Sequence, residues 1–324
     1  MVTEEIAKAI SSANTIYVAS HMNPDGDNVG SLMGTYIILK GIGKDVKAVV
    51  IDEIPENLKF LPRLSEIVTD EGLKAPDLFI TVDCADLDRI GALKNLYLSA
   101  KNKINIDHHS TNTNFGDINL VDPNSPATCE LIFYLFNDLG YEINTDAATC
   151  LYTGISTDTG SFKYDSVKKS TFNAAGILID KKIDINKIGV NLYQNRSKEK
   201  TSLLIMAMNS IKYYFDSKLA IAYVDDKMIE SCGANKSDSE GIVEFIRDIS
   251  GVEVAVLLKE KKENIRLSVR TKEYINAINI VSSFGGGGHI RAAGATLPLP
   301  LSDRINDIVK IVEGELNGWS SSNR

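Results

Sequence analysis

The sequence predicts an α/β protein in two parts, a doubly wound, mainly parallel N-terminal domain followed by a smaller α+β domain. Three observations carry this reading. Strand-like and helix-like stretches alternate through residues 1–188. The run at 78–82, Leu-Phe-Ile-Thr-Val, is almost continuously apolar, as in a strand covered on both faces. Beyond residue 210 the pattern changes to paired strands around short polar turns.

Taken in order, 15–20 is a β-branched and aromatic run read as a strand, 30–39 reads as a helix and 46–51 as a second strand. Residues 104–106 form a strand leading into Asp107-His108-His109, and helical patterns follow at 128–139, 147–155 and 170–180. The polar, helix-prone stretch at 185–208 reads as a linker helix, with domain limits set at 1–188, 189–210 and 211–320. In the second domain, 211–215 and 219–224 flank Asp216-Ser217-Lys218 as a hairpin, and 252–258 with 264–270 form another. Helices are expected at 239–249, 274–281 and 304–316, and the strands are expected to be antiparallel.

Composition narrows the function. Hydrophobic residues at 44% and charged residues at 24% suit a globular protein with a substantial core. No apolar run reaches the ~18 residues that a membrane span needs. The start, Met1-Val2-Thr3-Glu4-Glu5-Ile6, lacks the basic-then-apolar order of a signal peptide, so a cytoplasmic location is expected. A net charge of −8 argues against a broad grip on duplex nucleic acid, yet leaves room for a small anionic substrate. Cys84, Cys129, Cys150 and Cys232 form no Cys-x-x-Cys pair and are read as core residues.

All four histidines lie in motif-like clusters. His21 opens His21-Met22-Asn23-Pro24-Asp25-Gly26-Asp27, His108 and His109 follow Asp107, and His289 follows the glycine run 285–288. Asp83 ends the apolar run at 78–82, and Asp158 stands in Ser156-Thr157-Asp158-Thr159-Gly160 just after a predicted helix. Ligands of doubly wound sheets gather beyond the carboxyl ends of the strands, where His21, Asp83 and Asp107 are expected. Two cations about 3.5–4 Å apart need a shared carboxylate and further oxygen or nitrogen ligands. Asn23-Pro24-Asp25-Gly26 is turn chemistry that lets the chain fold back, with Gly26 relieving crowding between Asp25 and Asp27. Asp83 is the natural bridge, and His108 with Asp158 completes a second position. Carboxylate and imidazole without thiolate favour Mn²⁺, with Mg²⁺ as the alternative ion, and such a pair activates water for attack on phosphorus. Taken singly, each cluster also reads as an ordinary turn or helix cap; their joint occurrence at strand ends carries the metal reading.

The glycine run permits a backbone path with positive φ whose amides line an anion-binding concavity, and His289 adds a donor; a flexible tether is the competing reading. The strand at 265–270 alternates polar and apolar residues, so Arg266, Ser268 and Arg270 share one face, read either as a solvated face or as a phosphate grip.

These residues together resemble the four motifs of the DHH phosphoesterase superfamily, and Gly286-Gly287-Gly288-His289 resembles the signature of the DHH-associated C-terminal domain. The resemblance covers nearly the whole chain. Its length is similar to the nanoRNase/pAp phosphatase branch rather than to the longer RecJ exonucleases or the membrane-bound cyclic-di-AMP phosphodiesterases. The resemblance implies a Mn²⁺-dependent phosphoesterase holding two ions, one by His21, Asp25 and Asp83 and the other by Asp27, Asp83, His108 and Asp158. It further implies that Asp107 orients its neighbours, that His109 faces the scissile phosphate, and that His289, Gly286, Gly287, Gly288, Arg270 and Ser268 hold the far end of a short oligonucleotide. Expected substrates are short RNA, linear dinucleotides and pAp, with a homodimer through the first domain. A dedicated pApA phosphodiesterase, a manganese-dependent pyrophosphatase and a non-catalytic nucleotide-binding module are the competing functions. Lys163 and Arg291 depart from the family pattern, and Arg291 is expected to bear on substrate preference.

Overall fold

The computed structural model describes residues 2–260 and 262–322. Two compact units divide the chain, Met1–Asn195 and Arg196–Arg324.

Five parallel strands form the centre of the first unit: β1 (Thr15–Ala19), β2 (Asp45–Val49), β3 (Leu78–Val82), β4 (Asn102–Asp107) and β5 (Ile118–Val121), in spatial order β2-β1-β3-β4-β5. The helices are α1 (Val2–Ser12), α2 (Gly26–Gly41), α3 (Lys94–Ser99), α4 (Thr128–Asp138), α5 (Thr145–Asp158), α6 (Lys169–Asp180) and α7 (Ile185–Gly189). Side chains alternate across the sheet with the period of two that strands impose. Ile16, Val18, Ile80 and Ile104 enter the core shared with α2, α4 and α5, whereas Tyr17, Ala19 and Phe79 face Ile90, Leu93 and Tyr97. The chain leaves β1 toward β2 and returns on the other side of β1 to form β3. Strand order therefore reverses between β1 and β3, and ligands gather at such a reversal. Ile16 pairs with Leu78 and Ala19 with Thr81, so these two strands end level and deliver His21 and Asp83 to one rim.

How α2 meets α5 matters most for the site. Gly26, Gly30 and Gly34 recur every fourth residue of α2, and α5 presses onto them. A Cβ at Gly30 would lie 2.6 Å from the Cys150 carbonyl oxygen, and one at Gly26 would lie 2.3 Å from Thr157 Oγ1. From the other side, a Cβ at Gly154 would lie 2.3 Å from Cys129 Sγ and 2.8 Å from Asp27 Oδ1. Gly26 thus serves the approach of α5 rather than separation of Asp25 from Asp27. Because the helices cross this closely, the start of α2 stands beside the last residue of α5, Asp158. That aspartate was expected after the helix and instead ends it.

The second unit carries β6 (Lys212–Tyr214), β7 (Leu219–Val224), β8 (Val254–Glu260), β9 (Ile265–Thr271), β10 (Gly287–His289) and β11 (Ala292–Leu297), in the order β10-β11-β9-β8-β7-β6. Its helices are α8 (Lys198–Asn209), α9 (Asp226–Cys232), α10 (Ile242–Arg247), α11 (Ala277–Ser282) and α12 (Leu301–Ser322). The sheet is mixed rather than antiparallel, because β7 and β8 run parallel. The segment between them, holding α9 and α10, is long enough for the crossover that parallel pairing requires. The helix expected at 239–249 is shorter, since Gly241 in the left-handed region (φ 86°) starts α10 afresh. The stretch read as a linker helix contains α7 and the separate α8, and α8 buries Leu203 and Ala207 with Ala220, Ala222 and Val224 of β7. It therefore packs as part of the second unit. Cys84, Cys129 and Cys150 are buried and Cys232 is half-buried, all as free thiols. No helix among the described residues is long and apolar enough to cross a membrane.

Candidate metal centre

Asp83 follows β3 with a left-handed backbone (φ 52°), a conformation that aspartate tolerates better than bulkier residues, while its amide donates to the Ile106 carbonyl (2.9 Å). Its carboxylate is buried and faces two groups of ligands. On one side, Oδ2 lies 3.3 Å from His21 Nε2. On the other, Oδ1 lies 3.8 Å from His108 Nε2 and 3.7 Å from His109 Nδ1. His108 Nε2 in turn lies 3.2 Å from Asp158 Oδ2 and 4.0 Å from Asp27 Oδ2.

Three sets each have ligand atoms within 4.8 Å of one another: His21, Asp25 and Asp83; Asp27, His108 and Asp158; and Asp83, His108 and His109. These seven residues come from four separate stretches of chain, at 21–27, 83, 108–109 and 158, with Asp107 beneath.

The supports of these side chains follow from local structure. Asp25 caps α2, accepting from the Asn28 amide (3.0 Å). Asn28 itself donates to the His21 carbonyl (2.9 Å) and receives the Ser20 hydroxyl (2.7 Å), fixing the loop after β1. Asp27 takes the Thr128 amide (2.6 Å) and the Cys129 amide (2.9 Å), one on each oxygen. The start of α4 has no side-chain cap of its own, so this carboxylate from α2 fills that place. His108 Nδ1 lies 3.1 Å from the Ser125 carbonyl, leaving Nε2 toward the carboxylates. His109 Nδ1 lies 2.7 Å from Asp107 Oδ1, and Asp107 Oδ2 accepts from Asn112 Nδ2 (2.6 Å). Asn112 also donates to Asn105 Oδ1 (2.8 Å), whose amide nitrogen reaches Thr81 Oγ1 (3.1 Å).

The charge balance tests whether these residues fit a cation. The ion-pair partners of Asp27, Asp83 and Asp158 are all histidines among the described residues. Burial raises Asp27 well above the ordinary carboxylate range, helped by the charges of Asp83 and Asp158. Asp25 keeps solvent-exposed surface, yet the protein mass around its carboxyl and the same two neighbours push it up to about 6. Burial opposes the Asp83 carboxylate too, but the His21 hydrogen bond and the charges of His21, His108 and His109 hold it far below the usual range. Burial likewise opposes charge on His108, yet the Asp158 hydrogen bond and the Asp27, Asp158 and Asp83 charges carry it up to about 11. Crowded carboxylates of this kind ionise together only when cations compensate them, and hard oxygen with imidazole nitrogen suits divalent metals. The clusters fit a divalent metal site. Cys84 is not a rival nucleophile, since burial pushes its thiol up to about 12.

The substrate residues expected in the second unit lie close together along β9, β10 and β11, because Ser268 pairs with Gly294, Arg270 with Ala292, and Ala292 with His289. Three details differ from expectation. Arg270 Nε donates to Glu244 Oε1 (2.9 Å), so part of its guanidinium is already committed. The Gly285 and Gly286 amides donate to the Ser282 and Val281 carbonyls (2.9 and 3.0 Å), closing α11 instead of lining a concavity. Gly286 and Gly288 instead allow close packing on β11: added Cβ atoms would lie 2.4 Å from the Gly294 oxygen and 2.5 Å from the Ala292 oxygen. Arg291 donates to the Ile275 carbonyl (3.0 Å) and to the Glu273 carbonyl, bracing the chain before α11 rather than standing ready for substrate.

Sequence reasoning missed Thr128, Asn105 and Asn112. A polar Asn105 between Ile104 and Ile106 in a buried strand was the available signal, since buried amides need partners.

Residues 15–155 match the DHH family, N-terminal domain, and residues 216–318 match the DHHA1 domain. The chain is 33% identical over 316 residues to the bifunctional oligoribonuclease and PAP phosphatase NrnA of Thermus thermophilus, covering 96% of this chain and 93% of that protein. It is 28% identical over 301 residues to the protein of the same name from Bacillus subtilis, covering 90% and 92%. The crystal structure of an exopolyphosphatase-related protein from Bacteroides fragilis superposes with a TM-score of 0.90 at 28% identity, covering 98% of this chain and 96% of that one. The chain therefore belongs to the DHH family, as a phosphoesterase with an N-terminal DHH domain and a C-terminal DHHA1 domain.

Proposed function

We propose that this phosphoesterase hydrolyses short oligoribonucleotides and linear dinucleotides to mononucleotides and also removes the 3′-phosphate of pAp, with Mn²⁺ as its working ion. The observation that carries the reading is the Asp83 carboxylate, with Oδ2 toward His21 and Oδ1 toward His108 and His109, so that one residue serves two ligand sets. Full-length similarity to oligoribonuclease and PAP phosphatase proteins supports the substrate class.

Two divalent cations, when bound, supply an activated water and neutralise charge on the phosphoryl oxygens. The chain's own residues do the rest. His21, Asp25 and Asp83 would hold one cation, and Asp27, Asp83, His108 and Asp158 would hold the other. Asp107 fixes the ring of His109, which presents a donor to the leaving oxygen. Ser268, His289 and the backbone at Gly287 and Gly288 contact the remainder of the nucleotide, while the Gly286 amide is spent on closing α11. Arg270 joins them only by sharing its guanidinium with Glu244.

The test is product analysis on labelled RNA of two to five residues, pApA and pAp, with Mn²⁺ and with chelator. Mononucleotides from all of these, only with metal, are expected. A rate confined to pApA overturns the broad assignment, and hydrolysis of pyrophosphate alone overturns the nucleotide reading.

A further inference from the structure

Thr128, the first residue of α4, contacts both ligand sets at once. Its amide donates to Asp27 Oδ2 (2.6 Å) and its hydroxyl donates to Asp83 Oδ1 (3.0 Å). The residue is fully buried, and α4 is anchored by Ile132, Phe133 and Phe136 in the core, so these donors are fixed relative to the sheet. The two bonds do different things. The amide, with that of Cys129, grips Asp27 across both oxygens and defines the plane of its carboxylate. The hydroxyl holds Oδ1 of Asp83, opposite His21 Nε2 on Oδ2 (3.3 Å), and so helps set the rotation of that carboxylate. Its other neighbours on Oδ1, His109 Nδ1 at 3.7 Å and His108 Nε2 at 3.8 Å, stand beyond hydrogen-bond distance. Asp83 also sits on a left-handed backbone, so its orientation is not set by the regular pleat of β3.

We propose that Thr128 is a positioning residue of the metal centre, tying the shared carboxylate of Asp83 to Asp27 and so fixing the register between the two ligand sets. It touches no reacting atom in this role. The inference rests on the two-cation reading given above. A carboxylate that would serve two ions depends on its rotation, and a rotation that favoured one ligand set would weaken the other. Partners that hold metal ligands commonly govern affinity by about 10–100-fold.

The experiment compares Thr128→Val, which keeps the shape and amide but lacks the hydroxyl, with Thr128→Ala and Thr128→Ser. Each protein is stripped by chelator, then titrated with Mn²⁺ by calorimetry and examined by electron paramagnetic resonance for magnetic coupling between paired ions. The parent chain is expected to bind two coupled ions. In Val and Ala variants the weaker step should lose about tenfold or more in affinity, with the coupled signal reduced, while Ser restores both. Urea midpoints of the stripped Val and parent proteins should agree, which separates positioning from a general loss of fold. If the parent binds a coupled pair and Val and Ala bind it equally well, the inference is overturned while the two-cation reading stands. If Ser fails with Val and Ala, the hydroxyl is not the agent and the inference falls as well. If the parent binds no pair, the two-cation reading falls and takes this inference with it.

Discussion

Gly154→Ala tests whether the crossing of α2 and α5 sets the metal centre. The new Cβ would lie 2.3 Å from Cys129 Sγ, 2.8 Å from Asp27 Oδ1 and 3.1 Å from Asp27 Cα. Two of these atoms belong to Asp27, a proposed metal ligand whose carboxylate is held by the α4 amides, so neither side yields cheaply. Overpacking of this kind costs roughly 1–3 kcal/mol. Replacing glycine by alanine inside a helix returns about 1 kcal/mol. The net expected change is therefore a destabilisation of about 0–2 kcal/mol, read as a urea midpoint in chelator. Metal affinity should suffer more, by about 10–100-fold, because relief of the clash moves Asp27 away from His108 and Asp158. Gly176→Ala is the control: it lies in α6 with nothing within 4 Å of the added Cβ, and should gain about 0.5–1 kcal/mol with unaltered Mn²⁺ binding. Parental stability and parental Mn²⁺ affinity in Gly154→Ala would refute the argument that glycine contact positions Asp27.

Three further outcomes follow from the same geometry. Asp83→Ala should reduce hydrolysis by more than about 100-fold while far-ultraviolet circular dichroism stays that of the parent, and unaltered turnover would defeat the shared carboxylate. Mn²⁺ binding to stripped protein at pH 7–8 should release protons, because His108, carried up to about 11, must lose its proton before Nε2 binds metal. The raised His108 stabilises the stripped fold fully below its ordinary value of 6.5, a contribution lost as pH rises toward 11, whereas apparent Mn²⁺ affinity rises with pH, by about tenfold per unit for each proton released. Calorimetry in buffers of different ionisation enthalpy measures this, and a heat independent of buffer counts against it. His289→Ala should raise KM for short RNA several-fold and leave a generic phosphodiester reporter nearly unchanged; equal losses on both would place His289 in the chemistry.

Much of the first unit was legible because its rules are local. The nearly unbroken apolar run of β3 announces a strand covered on both faces, and His21, Asp83 and Asp107 lie at strand ends, where parallel sheets expose ligands. β5 escaped notice because it is four residues long and only half-buried, which leaves little periodicity to read. The parallel pairing of β7 with β8 escaped because strand direction depends on the path of the intervening helices, not on the strands' own residues.

The sequence by itself determined which residue types are available for the centre and the order of strands and turns that delivers most of them. Carboxylate and imidazole chemistry, turn propensity and apolar periodicity are properties of short stretches. Tertiary structure alone decided how those stretches meet. Gly26 and Gly154 act only through the helix packed against them, Thr128 acts only because α4 begins under Asp27 and Asp83, and the glycines at 286 and 288 serve contact with β11. Each of these roles depends on distances between atoms far apart in the chain, and such distances are fixed by the packing of the whole core.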